Sequence, residues 1–187
     1  MDERERAEAE GLVRRMLELV GEDPARPGLV DTPARVVRSW EEMFGGLRED
    51  PARHLARTFP TTSDQMVLVN GIGFHSTCEH HLLPFHGTCD VAYVPTGCVV
   101  GLSKFARLVH GLARRPQIQE QLTNQVADAI AGAVHTRGVA VRVRAQHLCM
   151  VARGARSGGA TMTTAALRGS LLTDPVARSE WIAQLPP

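Results

Sequence analysis

Apolar side chains recur every three to four positions along the first part of the chain, which is the spacing of one face of a helix. One such stripe predicts a helix over about residues 3–20 and consists of Leu12, Met16, Leu19 and Val20. A second stripe follows the segment DTPARV, whose proline suits a first helical position, and consists of Val36, Val37, Trp40 and Phe44. Residues 50–64 have no sustained pattern, so we expect them to form a linker.

From residue 65 onward the pattern mixes alternation with helical spacing. The segments QMVLVNG and GTCDVAYVP alternate and predict strands, whereas GLSKFARLVH and the stretch opened by Pro116 have helical spacing. The run 138–154 is the clearest strand, and we expect His147 and Cys149, two positions apart, to share one of its faces. A weaker strand, ATMTTAAL, precedes a closing helix that begins near Pro175.

The order of these later elements, strand, strand, helix, helix, strand, strand, predicts an α+β fold. An antiparallel sheet with its helices packed on one face is the natural arrangement, because each element then buries its apolar side. We therefore divide the chain into an N-terminal helical segment with a linker, residues 1–64, and a second domain, residues 65–187.

Composition and charge narrow the possible partners. The formal net charge of the 187 residues is +1, so no overall field attracts nucleic acid or an anionic membrane. The charged start, MDERERAEAEG, is unlike a signal peptide, and no apolar run approaches the roughly 18 residues that span a bilayer. We expect a cytoplasmic protein without membrane or nucleic-acid partners, whose four cysteines bind metal or are buried rather than forming disulfides.

Two short segments offer ligands for a metal ion. Cys78-x-x-His81 has the spacing of a zinc-binding pair, and His147-x-Cys149 lies far downstream. A structural zinc would use four protein ligands, and a catalytic zinc would use three and leave a position for water. The spacing is compatible with both, and also with two buried thiols beside histidines that bond to the backbone.

Four segments in order resemble type I GTP cyclohydrolases, namely STCEHHLLPFHG, GLSKFARLV, RRPQIQEQLT and AQHLCMVARG. They cover the chain from about Thr77 to Gly154, and DTPARV and ATMTTAAL are similar to further segments of that family. The resemblance implies a tunnelling fold, in which a four-stranded antiparallel sheet carries two helices on one face, preceded by N-terminal helices. It also implies a homodecamer of two stacked pentamers with active sites between subunits, and assigns the catalytic role to residues 65–187.

The resemblance implies a reaction and a zinc cofactor. GTP and water would give formate and 7,8-dihydroneopterin triphosphate, the first step towards folate or other pterins. The family's zinc ligands correspond to Cys78, His81 and Cys149. His147 corresponds to the acid that protonates N7 of guanine, and His80 is either a second proton-handling residue or a support for the zinc ligands.

The substrate contacts also follow from the resemblance. Glu120, with Gln119 beside it, corresponds to the residue that accepts hydrogen bonds from N1 and N2 of guanine. Arg35 corresponds to an arginine that enters the site from a neighbouring subunit. The residues that would contact phosphate or ribose are Ser103, Lys104, Arg107 and Arg153. Judged by residue type alone, each of these charged side chains would be a solvated surface group.

Two other classes of protein compete with this interpretation. One is another tunnelling-fold enzyme that acts on pterins or deazapurines, and the Cys-x-x-His pair with a distant cysteine argues against it. The other is a non-catalytic, zinc-stabilised nucleotide-binding relative, which the release of formate from GTP would exclude.

Overall fold

A computed structural model describes residues 1–186, and Pro187, the last residue of the predicted second domain, lies outside them. The residues cluster into two compact units, of which the first is Met1–Gly45 and the second begins at Gly46. The first unit consists of helices α1 (Glu3–Leu19) and α2 (Thr32–Met43). Asp2 and Glu5 form a reciprocal capping box at the start of α1, which supplies acceptors for two otherwise unpaired amides.

The second unit contains all the strands. In chain order they are β1 (Thr58–Pro60), β2 (Val67–Cys78), β3 (Pro84–Pro95), β4 (Cys98–Val100), β5 (Pro116–Gln117), β6 (Thr136–His147) and β7 (Met162–Gly169). Its helices are α3 (Leu102–Ala113), α4 (Gln119–Ala133), α5 (Leu148–Val151), α6 (Ser170–Thr173) and α7 (Pro175–Ala183). Short 3-10 turns occupy Gly45–Arg48 and Pro51–Ala56.

The predicted α+β class is confirmed, but the sheet differs from the four-stranded antiparallel sheet expected. Five strands pair in the order β5-β2-β3-β6-β7, and β5 runs parallel to its neighbour β2. A separate two-stranded sheet joins β1 to β4. The expectation that Pro116 opens a helix is therefore wrong, since Pro116 lies in β5 and α4 begins at Gln119. A proline at a sheet edge loses no ladder hydrogen bond, which suits Pro116 to this short strand.

The clearest predicted strand is also shorter than expected. β6 ends at His147, and Cys149 lies in the single turn α5 rather than on the same strand face. The partner strand explains the ending, because β3 begins at Pro84 and the last β3–β6 pair joins Phe85 to His147. Beyond that pair the chain has no neighbour with which to continue the ladder.

The main core lies between α3, α4 and one face of the sheet. Helix residues such as Phe105 and Ile130 pack there with strand residues such as Phe74 and Val91, all almost fully buried. Successive strand residues point to opposite faces, so Ala92 and Ala140 face the other side, where Leu171 and Trp181 cover them. The expectation of helices on one face therefore holds for α3 and α4 but not for α6 and α7.

Part of the expected linker is ordered. Within residues 50–64, the turn Pro51–Ala56 contributes Leu55, which is 0% exposed, to the main core, and β1 pairs with β4. No helix within residues 1–186 combines the length and the apolar character needed to cross a membrane.

We predict that Gly87→Ala destabilises the protein by about 1–3 kcal/mol, because an added methyl group in this tightly packed position forces the backbone to shift. Gly87 lies opposite Ala145 in the β3–β6 pair, and a Cβ atom there would be 1.8 Å from the carbonyl oxygen of Arg144. Gly73→Ala in β2 is the matched control, since its Cβ would meet nothing within 4 Å. Urea unfolding of both variants measures the difference, and equal midpoints would contradict the close approach.

Candidate metal centre and active site

The direction of the strands brings the ends of β2 and β6 to one edge of the sheet. Both strands are antiparallel to β3, which lies between them, so both end where β3 begins. Cys78 is the last residue of β2 and His147 is the last of β6. Since neighbouring strands are about 4.8 Å apart, the two strand ends are about 10 Å apart. The segments that follow must turn towards each other to bring ligands together.

The loop after β2 is a tight turn that brings His81 back towards Cys78. The amide of Cys78 donates to the carbonyl of Leu83 at 2.9 Å, and the amide of Leu82 donates to the carbonyl of Cys78 at 2.8 Å. Leu82 has a φ of 53°, which is unusual for a non-glycine residue and marks a backbone held by its surroundings. As a result, Sγ of Cys78 lies 3.8 Å from Nδ1 of His81.

Three ligand atoms converge at this edge. The sulfur atoms of Cys78 and Cys149 and a ring nitrogen of His81 all lie within 4.8 Å of one another. A tetrahedral zinc ion bound at about 2.3 Å by sulfur and 2.0–2.1 Å by nitrogen would separate such atoms by about 3.5–3.8 Å. The donor set therefore fits zinc after a small contraction, and three ligands leave a fourth position open.

Neither His80 nor His147 belongs to this group of three ligands. Nδ1 of His80 lies 3.9 Å from Sγ of Cys78, but His80 is exposed and is not within the set of three mutually close ligands. His147 lines the same cavity as Cys149 but uses Nε2 for a hydrogen bond to Gln119. Among the described residues, the geometry thus favours three protein ligands rather than four.

The environment of each thiol distinguishes the cysteines of the metal group, which consists of Cys78, His81 and Cys149, from the remaining cysteines. Burial raises the pKa of the Cys149 thiol, and the nearby Cys78 raises it further. A bound cation would reverse this effect, since a thiol that coordinates a metal is deprotonated. Burial also raises the pKa of Cys89, which is fully buried in the core and lies outside the metal group, so we interpret it as an inert core residue.

The imidazole of His147 is held in a defined orientation. It stacks on Phe85, its partner across the β3–β6 ladder, with ring centroids 4.6 Å apart and planes 3° from parallel. Its Nε2 donates to Oε1 of Gln119 at 2.9 Å. Burial lowers the pKa of His147 below its ordinary value, and the carboxylate of Glu120 opposes that shift. Burial thus favours the neutral ring, whereas the nearby carboxylate of Glu120 favours the protonated ring.

An open cavity of about 420 Å³ lies next to the metal group. Its walls consist of His81, His147, Cys149, Met150, Arg153, Gly154, Ala155, Ala160, Thr161 and Met162. Nη2 of Arg153 lies 3.0 Å from Nε2 of His81, which places its guanidinium at the metal end of the cavity. Gly154 follows with a φ of 60°, a conformation that glycine adopts without strain, and turns the chain along the cavity wall.

Three of the predicted phosphate contacts lie elsewhere in this chain. Ser103, Lys104 and Arg107 occupy the first turns of α3, and none of them lines the cavity. The C-terminal end of α3 is the end beside the metal group, since Oγ of Ser76, two residues before Cys78, donates to the carbonyl of Ala113 at 2.7 Å. With a rise of 1.5 Å per residue, Lys104 lies roughly 14 Å along the helix from Ala113.

The two remaining predicted substrate contacts are both exposed. Glu120 is the second residue of α4, close enough to His147 to influence its pKa. Arg35 lies in α2 of the first unit, where it forms an exposed ion pair with Asp31 at 3.5 Å. Gln119 differs from both, because it is 0% exposed and its carboxamide bonds to groups of Val143, Met162, Thr164 and His147.

Comparison with known proteins identifies relatives over nearly the whole chain. The sequence profile of the family GTP cyclohydrolase I matches residues 9–185. The GTP cyclohydrolase 1 of Rhodopirellula baltica is 54% identical over 174 residues, which cover 93% of this chain and 76% of that protein. The GTP cyclohydrolase 1 of Carboxydothermus hydrogenoformans is 52% identical over 172 residues, which cover 91% of this chain and 90% of that protein. The chain belongs to the GTP cyclohydrolase I family.

A comparison with solved structures finds a weaker likeness. The archaeosine synthase QueF-Like in its apo form is 20% identical and covers 58% of this chain and 97% of its own, with a TM-score of 0.49. Membership of the GTP cyclohydrolase I family rests on the profile and on relatives such as the protein of Mycobacteroides abscessus, 53% identical over 178 residues.

Three residues that shape this site lie within the segments that resemble the family, but the resemblance gave them no role. The ring of Phe85 stacks on that of His147, and Thr123 and Thr164 form hydrogen bonds with the buried Gln119. The strand register that pairs Phe85 with His147 would have revealed the first of these contacts. No pattern in the sequence singles out the two threonines, because their importance comes from contacts between α4 and β7.

We predict that Cys149→Ala abolishes stoichiometric zinc binding, because only one thiolate and one imidazole of the three converging ligands would remain. Cys98→Ala is the matched control, since Cys98 is a partly exposed thiol in β4 outside the metal group. Metal analysis after dialysis should find about one zinc per chain in the wild type and in the control. A Cys149→Ala protein that retains one zinc per chain would remove Cys149 from the ligand set.

Proposed function

We propose that this protein is a zinc-dependent GTP cyclohydrolase I that converts GTP and water into formate and 7,8-dihydroneopterin triphosphate. Relatives named GTP cyclohydrolase 1 are 52–54% identical in sequence to it over most of the chain. The observation that carries the proposal is the open group of Cys78, His81 and Cys149 beside a cavity that His147 also lines. Such an arrangement suits attack by water on an aromatic carbon that is activated by protonation.

His147 transfers the proton in the proposed reaction. Cys78, His81 and Cys149 would hold a zinc ion, which would supply an activated water for attack at C8 of guanine. His147 exchanges a proton with N7 of the guanine ring, which makes C8 more electrophilic. The stacked, hydrogen-bonded ring of His147 loses little freedom when it does so, because its orientation is already fixed. His80, exposed beside Cys78, assists by orienting water or by supporting the ligands.

Glu120 recognises the guanine edge. Its exposed carboxylate lies in the first turn of α4, close to His147, and can accept hydrogen bonds from N1 and N2 together. Adenine has no donor at N1 and no amino group at C2, so the same carboxylate disfavours ATP. Glu120 thus selects the base whose C8 then faces the metal group.

The triphosphate is bound by residues of more than one subunit. Arg153 reaches it from within the cavity, whereas Ser103, Lys104 and Arg107 lie in the first turns of α3, away from the metal ligands. We therefore infer that a second copy of the chain contributes these three residues, and that Arg35 also comes from a neighbouring copy. Two stacked pentamers with sites between subunits would meet this need, with the catalytic chemistry in residues 65–187.

The release of formate from GTP tests this function directly. The zinc-loaded protein should release one formate per GTP consumed, whereas protein stripped of zinc by a chelator should be inactive until zinc is restored. ATP serves as the control substrate and should yield no formate. A zinc-loaded, folded protein that binds GTP but releases no formate would support a non-catalytic binding role instead.

We predict that Glu120→Gln lowers kcat/KM for GTP by about 10- to 100-fold, since a hydrogen bond to a charged group contributes about 1.5–3 kcal/mol. Gln121→Ala, at the next exposed position of α4, should leave kcat/KM within about twofold of the wild type. Formate release from GTP and from ATP measures both variants. A Glu120→Gln protein with unchanged preference for GTP would remove Glu120 from the guanine site.

We predict that His147→Ala keeps its zinc and its affinity for GTP but loses about 10²- to 10⁴-fold in formate release, the usual contribution of a positioned proton donor. The ligand group and the proposed phosphate contacts are untouched by this change. Zinc content, GTP binding and formate release are measured on one preparation. Loss of zinc together with activity would make His147 a ligand or a support of one.

A further inference from the structure

The carboxamide of Gln119 has only one possible orientation. Its Nε2 lies 3.0 Å from the carbonyl oxygen of Val143, 3.0 Å from that of Met162 and 3.1 Å from Oγ1 of Thr164. Carbonyl oxygens only accept hydrogen bonds, so the atom that faces two of them must be the amide nitrogen. The other end of the carboxamide, Oε1, is therefore the atom that faces His147 at 2.9 Å.

Two threonines determine the direction of the remaining hydrogen bond in this network, the one between their hydroxyl groups. Oγ1 of Thr123 donates its single proton to the backbone carbonyl of Gln119 at 2.7 Å. The contact of 2.6 Å between the two threonine hydroxyls must then use the proton of Thr164. Oγ1 of Thr164 consequently accepts from Gln119, which agrees with the orientation set by the carbonyls. The two protons of Nε2 of Gln119 are shared among three acceptors, and each polar side-chain atom of the network has a partner within the protein.

The network determines which nitrogen of His147 carries the proton. An amide oxygen cannot donate, so the ring nitrogen that meets Oε1 of Gln119 must be an N–H group. A neutral imidazole has one ring proton, which leaves Nδ1 with its lone pair. Stacking on Phe85 holds the plane of the ring, so the position of Nδ1 is fixed as well.

We propose that Gln119 is a positioning residue that holds the neutral ring of His147 in the Nε2–H tautomer, so that Nδ1 is the nitrogen that takes up a proton and then gives it to N7 of guanine, which returns the ring to the same tautomer. Gln119 acts through His147 and does not touch the substrate, in contrast to the direct contact that its place beside Glu120 suggests. The role in catalysis rests on the proposed function. The tautomer does not, because it is a property of the protein without substrate.

The first test is a spectrum of the wild-type protein alone. In the zinc-loaded protein with ¹⁵N-labelled histidine, nitrogen chemical shifts separate an N–H from a bare ring nitrogen, and the signal absent from His147→Ala identifies His147. At a pH where the ring is neutral, we expect the proton on Nε2 and a bare Nδ1. A proton on Nδ1 would overturn the proposal, whether or not the protein releases formate from GTP.

The second test compares the same substitution at two buried glutamines. Gln119→Met removes the acceptor that faces His147, and we expect kcat to fall by about 10- to 100-fold while KM for GTP stays within about twofold. Gln117→Met is the matched control, because Gln117 is 2% exposed and donates to the carbonyl of Leu112 at 2.9 Å without a hydrogen bond to His147. The control should keep both kcat and the Nε2–H tautomer, even if its unfolding temperature falls.

The outcomes separate the possible roles of Gln119. A mixed or reversed tautomer together with a lower kcat supports positioning, with zinc content as the check that the metal group is intact. A higher KM with unchanged kcat would make Gln119 a substrate contact, and an unchanged tautomer would show that Phe85 alone holds the ring. An equal loss of kcat in Gln117→Met would mean that any damage to buried polar groups near α4 has this effect, and would also overturn the proposal.

Discussion

The site depends on the direction in which three neighbouring strands run. Because β2 and β6 are both antiparallel to β3, their last residues must lie at one edge, on either side of the residue that begins β3. Phe85 pairs with Ser76 on one side and with His147 on the other, so Cys78, two residues after Ser76, lies at the same edge as His147. A change of one residue in the β3–β6 register would turn His147 to the opposite face and separate it from the cavity.

Buried polar groups connect this edge to the rest of the fold. An unsatisfied buried donor or acceptor costs about 1–3 kcal/mol, so the network of Gln119 must stay complete for α4 and β7 to pack as they do. The same network ends at His147, which lies beside the metal group. Packing and chemistry are thus maintained by the same contacts, and a substitution in α4 or β7 can affect both.

The sequence allowed the α+β class and the convergence of ligands to be predicted, but not the details that shape the site. Cys78-x-x-His81 and the distant Cys149 were identified from ligand spacing and family resemblance, and the structure brings them together. The single turn α5 was missed, because the apolar alternation continues to Val151, whereas the pairing with β3 stops at His147, opposite the start of β3. The role of Gln119 depends on contacts made across the sheet, which no local pattern records.

The convergence of both strand ends on one ion is tested most directly by X-ray absorption at the zinc edge of the loaded wild-type protein. The strand geometry predicts two sulfur neighbours at about 2.3 Å, from Cys78 and Cys149, with the remaining neighbours being nitrogen or oxygen at about 2.0–2.2 Å. A single sulfur neighbour, or none, would contradict the account, because one of the two strand ends would then not reach the metal.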